Sequence, residues 1–131
     1  MSNSYNNFQK LADALPRVLS QAVKKTALDV QAAAQQKAPV DTGFLKASIY
    51  TVTSERSTYK PDAKALPAVD KPENDQTAYV AVGAAYGAYV EFGVRHAPAQ
   101  PYFYPALEEG KKSFDQAVAA IEKKVKEASG S

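Results

Sequence analysis

Few residues of this 131-residue chain have side chains suited to acid–base or metal chemistry. Glu91 and the single histidine, His96, lie five positions apart in a segment rich in aromatic residues. A zinc site needs three or four ligands, and nucleophilic catalysis needs an activated serine or cysteine beside its base. Since the chain has no cysteine and the pair stands alone, we expect no catalytic residue, no metal and no cofactor. Glu91 is interpreted as a structural or interface carboxylate that pairs with Arg95 or with backbone N–H groups.

Three glycines near that pair do not form a phosphate-binding loop. Gly83, Gly87 and Gly93 have neither the spacing of a P-loop nor its Lys-Ser/Thr pair. Glycine tolerates backbone conformations that other residues disfavour. The three positions are therefore predicted to lie in turns.

Aromatic residues are concentrated between Tyr79 and Tyr104, a segment that holds seven of the chain's thirteen aromatic residues. We expect Tyr79 and Phe92 to be core residues. Three consecutive aromatic residues of an extended chain, 102–104, cannot all point inward, so at least one should face solvent. Exposed aromatic residues beside an arginine, in a segment stiffened by prolines, are typical of protein–protein contacts. The predicted interface residues are Tyr86, Tyr89, Glu91, Arg95, His96, Tyr102, Phe103 and Tyr104.

The composition is typical of an ordinary soluble globular protein with a single domain. Hydrophobic residues make up 45% and charged residues 23% of the chain. A net charge of +2 is too small to indicate a nucleic-acid partner, and Lys24, Lys25 and Lys37 are expected on a solvated helix face. The first residues do not resemble a signal peptide, and no apolar run approaches the ~18 residues of a membrane span. We therefore expect a cytosolic product without membrane contact.

A long amphipathic helix is predicted near the start of the chain, over residues 13–37. Its apolar residues recur at steps of three and four. Asp13 is its predicted N-cap, and Pro16 falls in the first turn, where a missing N–H is tolerated. Residues 1–12 are expected to form a flexible arm or a short helix.

A second helix is predicted over residues 105–128. Pro105 suits its first position, the acidic residues that follow suit its N-terminal end, and the lysines lie near its C-terminal end. Gly110 is expected to weaken it.

Between the helices, the sequence predicts a small antiparallel sheet. Residues 38–53 are predicted to contain a turn and then a strand. Phe44 to Ser48 form a helical turn, and the strand covers residues 49–53. A second strand starts the segment 78–104. Residues 54–77, which contain three prolines, are predicted to be a long loop that is mobile in the free protein. The fold class is therefore α+β, with two long helices packed on the sheet.

Three stretches of the chain together resemble one protein family. Residues 38–48 (APVDTGFLKAS) resemble its A-P-V-D-T-G-x-L-x-x-S turn, residues 83–93 (GAAYGAYVEFG) its second-strand exit with Y-V-E-F-G, and residues 99–106 (AQPYFYPA) its A-Q-P-F-x-x-P-A entry to the last helix. The family comprises the neck and tail-completion proteins of long-tailed, double-stranded DNA bacteriophages, typified in lambdoid phages and common in prophages. The motif positions to which a structural role is assigned are Pro39, Asp41, Thr42, Gly43, Gly83, Gly93, Pro101 and Pro105.

The resemblance implies a virion structural protein, made in the bacterial cytoplasm, that acts in head–tail joining or tail completion. Its implied partners are other phage neck and tail proteins, and it implies a homo-oligomeric ring in the virion and no cofactor. Tyr102 stands where the family often has Phe, and Tyr104 where it often has Arg. Two alternatives stay open. One is a DNA-binding packaging or regulatory module, with nonspecific DNA contact in a channel, and the other is a small hydrolase that depends on Glu91 or His96.

Overall fold

The computed structural model of the chain describes residues 2–39 and 43–130. Six elements follow in the order helix α1 (Ser2–Lys37), helix α2 (Gly43–Ser48), strand β1 (Ile49–Val52), strand β2 (Tyr79–Val82), helix α3 (Gly87–Phe92) and helix α4 (Phe103–Gly130). The predicted α+β class is confirmed, with a long helix at each end, a small antiparallel sheet and a loop between its strands. Asp41 and Thr42 of the predicted turn lie outside the described residues.

Helix α1 is longer than the sequence pattern predicts, and the predicted start at Asp13 is wrong. The helix already runs from Ser2, so Pro16 lies inside it. Asp13 does not cap the helix, since its carboxylate accepts a hydrogen bond from Gln9 one turn earlier (3.0 Å). A proline inside a helix removes one backbone hydrogen bond, and its ring crowds the carbonyl four residues earlier. The half-buried Leu15 and Val18 continue the apolar stripe on the two sides of Pro16, and α1 packs along α4.

Helix α4 begins at Phe103, two residues before the predicted start. One of its glycines, Gly110, lies in the contact with α1. Gly110 is buried, and a Cβ placed there would lie 2.3 Å from Cγ2 of Val30 on α1. The glycine thus allows α1 and α4 to approach closely, whereas helix propensity alone predicts only a weakened helix. An ion pair between Lys37 and Glu109 (3.0 Å) also links the two helices.

The two strands pair antiparallel, from Ile49 opposite Val82 to Val52 opposite Tyr79. All four residues of β1 are buried. Thr51 faces α1, where its hydroxyl donates a hydrogen bond to Oε1 of Gln31 (2.7 Å). The core between α1, the sheet and the start of α4 is formed by Val30, Ala34, Ala38, Leu45, Ile49, Ala84, Tyr102 and Ala106.

The loop over residues 54–77 is fastened to the body at several points. Thr58 exchanges hydrogen bonds with Thr51 at the outer edge of β1, and the Leu66 N–H donates to the Gly83 carbonyl (2.8 Å). Lys24 of α1 forms ion pairs with Glu55 and Asp75, one near each end of the loop. These contacts define the path of the loop, and its mobility in the free protein stays a prediction.

Candidate functional site

Glu91 of α3 caps the N-terminal end of α4. Its side chain is buried (6% exposed). Oε1 accepts hydrogen bonds from the N–H groups of Tyr102 (2.9 Å) and Phe103 (2.7 Å), and Oε2 accepts one from Tyr104 (3.1 Å). The first N–H groups of a helix have no partner within it, and its N-terminal end favours negative charge. The prediction that Glu91 pairs with backbone N–H groups is confirmed, and the carboxylate ties α3 to α4.

Tyr102 is a second link between these elements. It is 1% exposed, and its hydroxyl donates a hydrogen bond to the Gly87 carbonyl (3.0 Å). Burial, followed by the charges of Glu91 and Tyr86, raises the pKa of this hydroxyl from 10.0 to about 12. Tyr102 therefore has no surface to offer a partner, and its place among the predicted interface residues is corrected.

The three glycines have different roles. Gly93 has φ +79 and is the C-cap of α3, where its N–H donates to the Tyr89 carbonyl (2.8 Å), so it needs the backbone freedom of glycine although it is not a turn residue. Gly87 is the first residue of α3 rather than a turn residue. A Cβ on Gly87 would lie 2.8 Å from the Tyr102 hydroxyl, so the absence of a side chain lets Tyr102 reach its backbone. Gly83 is buried beside Ser48 at the end of β2.

A turn after Gly93 presents Arg95 and His96 to solvent. Val94 and Ala97 exchange two backbone hydrogen bonds across it (2.9 and 3.0 Å), and the Gln100 N–H donates to the Val90 carbonyl (2.8 Å). Both Arg95 and His96 are exposed. The buried Glu91 and the exposed His96 thus occupy different environments rather than one acid–base site.

Large apolar side chains remain exposed around α3 and the start of α4. Tyr89 and Phe92 are 64% and 65% exposed, and the ring of Phe92 lies 5.7 Å from that of Tyr104. Phe103 is half-buried beside them. We call this set the aromatic surface, and its members are Tyr86, Tyr89, Phe92, Val94, Tyr104 and Leu107.

Two aromatic residues predicted to be in the core are exposed instead. Phe92 follows the buried Glu91 on a helix, so its side chain points about 100° away from the interior. Tyr79 is the first residue of β2 and is 44% exposed. The prediction that at least one of residues 102–104 faces solvent is confirmed by Tyr104, although the segment enters a helix there rather than staying extended.

Residues 2–39 and 43–130 offer neither a metal site nor a membrane-spanning helix. No group of three or more His, Asp or Glu side chains in these ranges could hold a metal ion. None of the helices described there is both long and apolar enough to cross a membrane.

Fold and site define a small α+β protein with an exposed aromatic surface beside a capped helix. Residues 4–93, more than two thirds of the chain, match the family model described as "Bacteriophage HK97-gp10, putative tail-component". The chain belongs to this HK97-gp10-like family of bacteriophage tail components, which confirms the family resemblance and assigns the chain to the virion. No curated protein and no solved structure matched the chain.

Proposed function

We propose that this tail component acts in head–tail joining or tail completion, at the neck or at the head-proximal end of the tail, as a subunit of a homo-oligomeric ring. The observation that carries the proposal is the aromatic surface, which exposes six large apolar side chains on adjacent elements. Contiguous exposed apolar residues on a soluble protein mark contact sites for other proteins. Its partners are neck and tail proteins, including further copies of the chain.

The two elements that bear the aromatic surface are joined by hydrogen bonds within the chain. Three hydrogen bonds to the Glu91 carboxylate, and one from the Tyr102 hydroxyl, hold α3 against the start of α4. Preorganisation reduces the conformational entropy that is lost on association. Tyr89, Phe92 and Tyr104 can therefore dock without rearrangement of the backbone that bears them.

Three lysines of α1, each paired with a carboxylate, do not favour the DNA-binding alternative. Lys24 pairs with Glu55 and Asp75, Lys25 with Asp29 (2.8 Å), and Lys37 with Glu109. Carboxylates that already neutralise these cations would have to be displaced by phosphates. Protein contact is therefore the better-supported function.

Quantitative mass spectrometry of purified virions, and of separated heads and tails, tests the proposal. We expect the chain at a fixed, ring-like copy number in virions, and in the fraction that carries the neck or the head-proximal tail end. Its absence from virions would overturn a structural role in head–tail joining and would indicate an assembly factor instead.

A further inference from the structure

The outer edge of β2 carries backbone groups that no described residue pairs. The Gly83 N–H donates to the Ser48 carbonyl (2.9 Å), which fixes the alternation of the ladder. Tyr79 and Ala81 therefore bond to β1, while Val80 and Val82 direct their N–H and C=O groups away from it. On β1 the corresponding outward groups of Thr51 are both bonded to Thr58 of the loop. Within the described ranges, Val80 and Val82 have no equivalent of Thr58.

This free edge opens onto an apolar trough. A cavity of about 370 Å³ separates β2 from α4 above a floor formed by α1, and its walls include Val30, Val80 and Phe114. A second cavity of about 420 Å³ continues past Val82 towards α3 and Tyr104. Phe103 and Leu107 border both cavities. A further strand placed on β2 would fill this trough, with one row of its side chains on α1 and α4.

The chain itself exposes a segment suited to the trough. Residues 66–72 contain no turn or bend, and all but Pro72 are exposed. The Val69 N–H donates to the Tyr50 hydroxyl of its own chain (3.0 Å). Because successive N–H groups of an extended chain point to opposite sides, those of Ala68 and Asp70 point outward.

The lengths of the two partners also agree. Pro67 and Pro72, which have no N–H to donate, delimit the four residues Ala68–Lys71, and β2 also has four residues. The exposed Val69 supplies an apolar side chain for the trough, and Asp70 and Lys71 add no net charge.

We propose that residues 68–71 of one copy add as a strand to the free edge of β2 in a second copy. The donor segment and the acceptor edge are different surfaces, so the contact is head-to-tail and repeats from copy to copy, as a ring requires. The added strand also turns a two-stranded sheet into a three-stranded one. The inference rests on the proposed function, because it specifies how ring subunits join.

Sedimentation equilibrium of the purified full-length chain tests the contact from both sides. Val80→Pro removes an outward N–H without breaking the ladder to β1, and Asp70→Pro removes the N–H of the exposed donor segment. Each is expected to weaken self-association about tenfold or more. The matched controls, Val80→Thr and Asp70→Ala, keep the N–H group and should associate as the parent chain does.

Two results would overturn the inference. One is a parent chain that stays monomeric at every concentration reached, and the other is unchanged association of Asp70→Pro, whose exposed site leaves the fold intact. Amide hydrogen exchange gives an independent readout, because Val80 and Val82 should become protected on association. If the chain is present in virions but both proline variants associate as the parent chain does, the proposed function stands and this inference is wrong. If the proline variants weaken association but the chain is absent from virions, the strand contact stands and the proposed function is wrong.

Discussion

At the scale of single residues, the carboxylate of Glu91 is the group on which most of the candidate site depends. It satisfies three N–H groups that helix geometry leaves without partners. The sequence identified this residue as a structural or interface carboxylate and left two kinds of partner open, Arg95 or backbone N–H groups. It did not identify which N–H groups, since these lie 11 to 13 positions further along the chain.

Replacing Glu91 by Gln should lower the free energy of unfolding by about 1–3 kcal/mol, because the charge and one acceptor for the α4 N–H groups are lost. Urea denaturation followed by circular dichroism measures this change. Glu108→Gln is the matched control, since that carboxylate is exposed near the start of the same helix, and its effect should stay within about 0.5 kcal/mol. Equal effects of the two substitutions would contradict a capping role for Glu91.

Tyr102→Phe should change how stability depends on alkaline pH. The pKa of the Tyr102 hydroxyl is about 12 in the folded chain and 10.0 when unperturbed, so the stability linked to its proton is complete below pH 10 and is lost as pH rises towards 12. The phenylalanine variant loses a hydrogen bond worth about 0.5–1.5 kcal/mol at neutral pH but has no proton to lose there. The stability difference between the two chains should therefore shrink between pH 10 and pH 12. A constant difference across that range in urea titrations would refute the assignment.

At the scale of the elements, the close contact between α1 and α4 at Gly110 decides how the two long helices pack. Substituting Gly110 by Ala gains about 1 kcal/mol of helix propensity, but its Cβ would overlap the buried Val30. We expect net destabilisation by about 1–3 kcal/mol from overpacking. The double variant with Val30→Ala tests the cause, since it should cost less than the two single changes together. Strict additivity in thermal or urea unfolding would argue against the overlap.

The loop over residues 54–77 is predicted to be mobile in the free protein and to become ordered on assembly. Amide hydrogen exchange should therefore be faster throughout the loop than in β1 of the isolated chain, and slower after incorporation into the virion. Thr58 and Leu66, whose N–H groups donate to the body, are expected to be its slowest positions. Strong protection of the whole loop in the isolated chain would contradict this prediction.

At the scale of the whole molecule, the aromatic surface predicts a loss of assembly without a loss of fold. The double substitution Tyr89→Ser and Phe92→Ser removes the two most exposed rings and should impair joining of heads to tails. The readouts are infectious titre and the number of unjoined heads and tails in electron micrographs. Leu28→Ser is a control, because Leu28 is exposed on α1 outside this surface. A normal titre for the double variant would count against the surface as a contact site.

The sequence alone determined those features that depend on local patterns. Periodic apolar residues predicted both long helices, alternating β-branched residues predicted both strands, and three motifs predicted the family. Each of these signals is contained within a few turns or one strand, so a single chain suffices to detect it. The predicted core and surface were less accurate, as the exposed Phe92 and the buried Tyr102 show.

Only the tertiary structure decided which groups meet across long stretches of sequence. It showed that α1 continues through Pro16 and packs along α4, whereas the local effect of a proline predicts a helix boundary there. It made Gly110 a packing position, since only the approach of another helix gives the missing side chain a purpose. It also showed that the outer edge of β2 is unpaired among the described residues. Residue patterns predict strands, but they do not predict which edge of a strand has a neighbour in space.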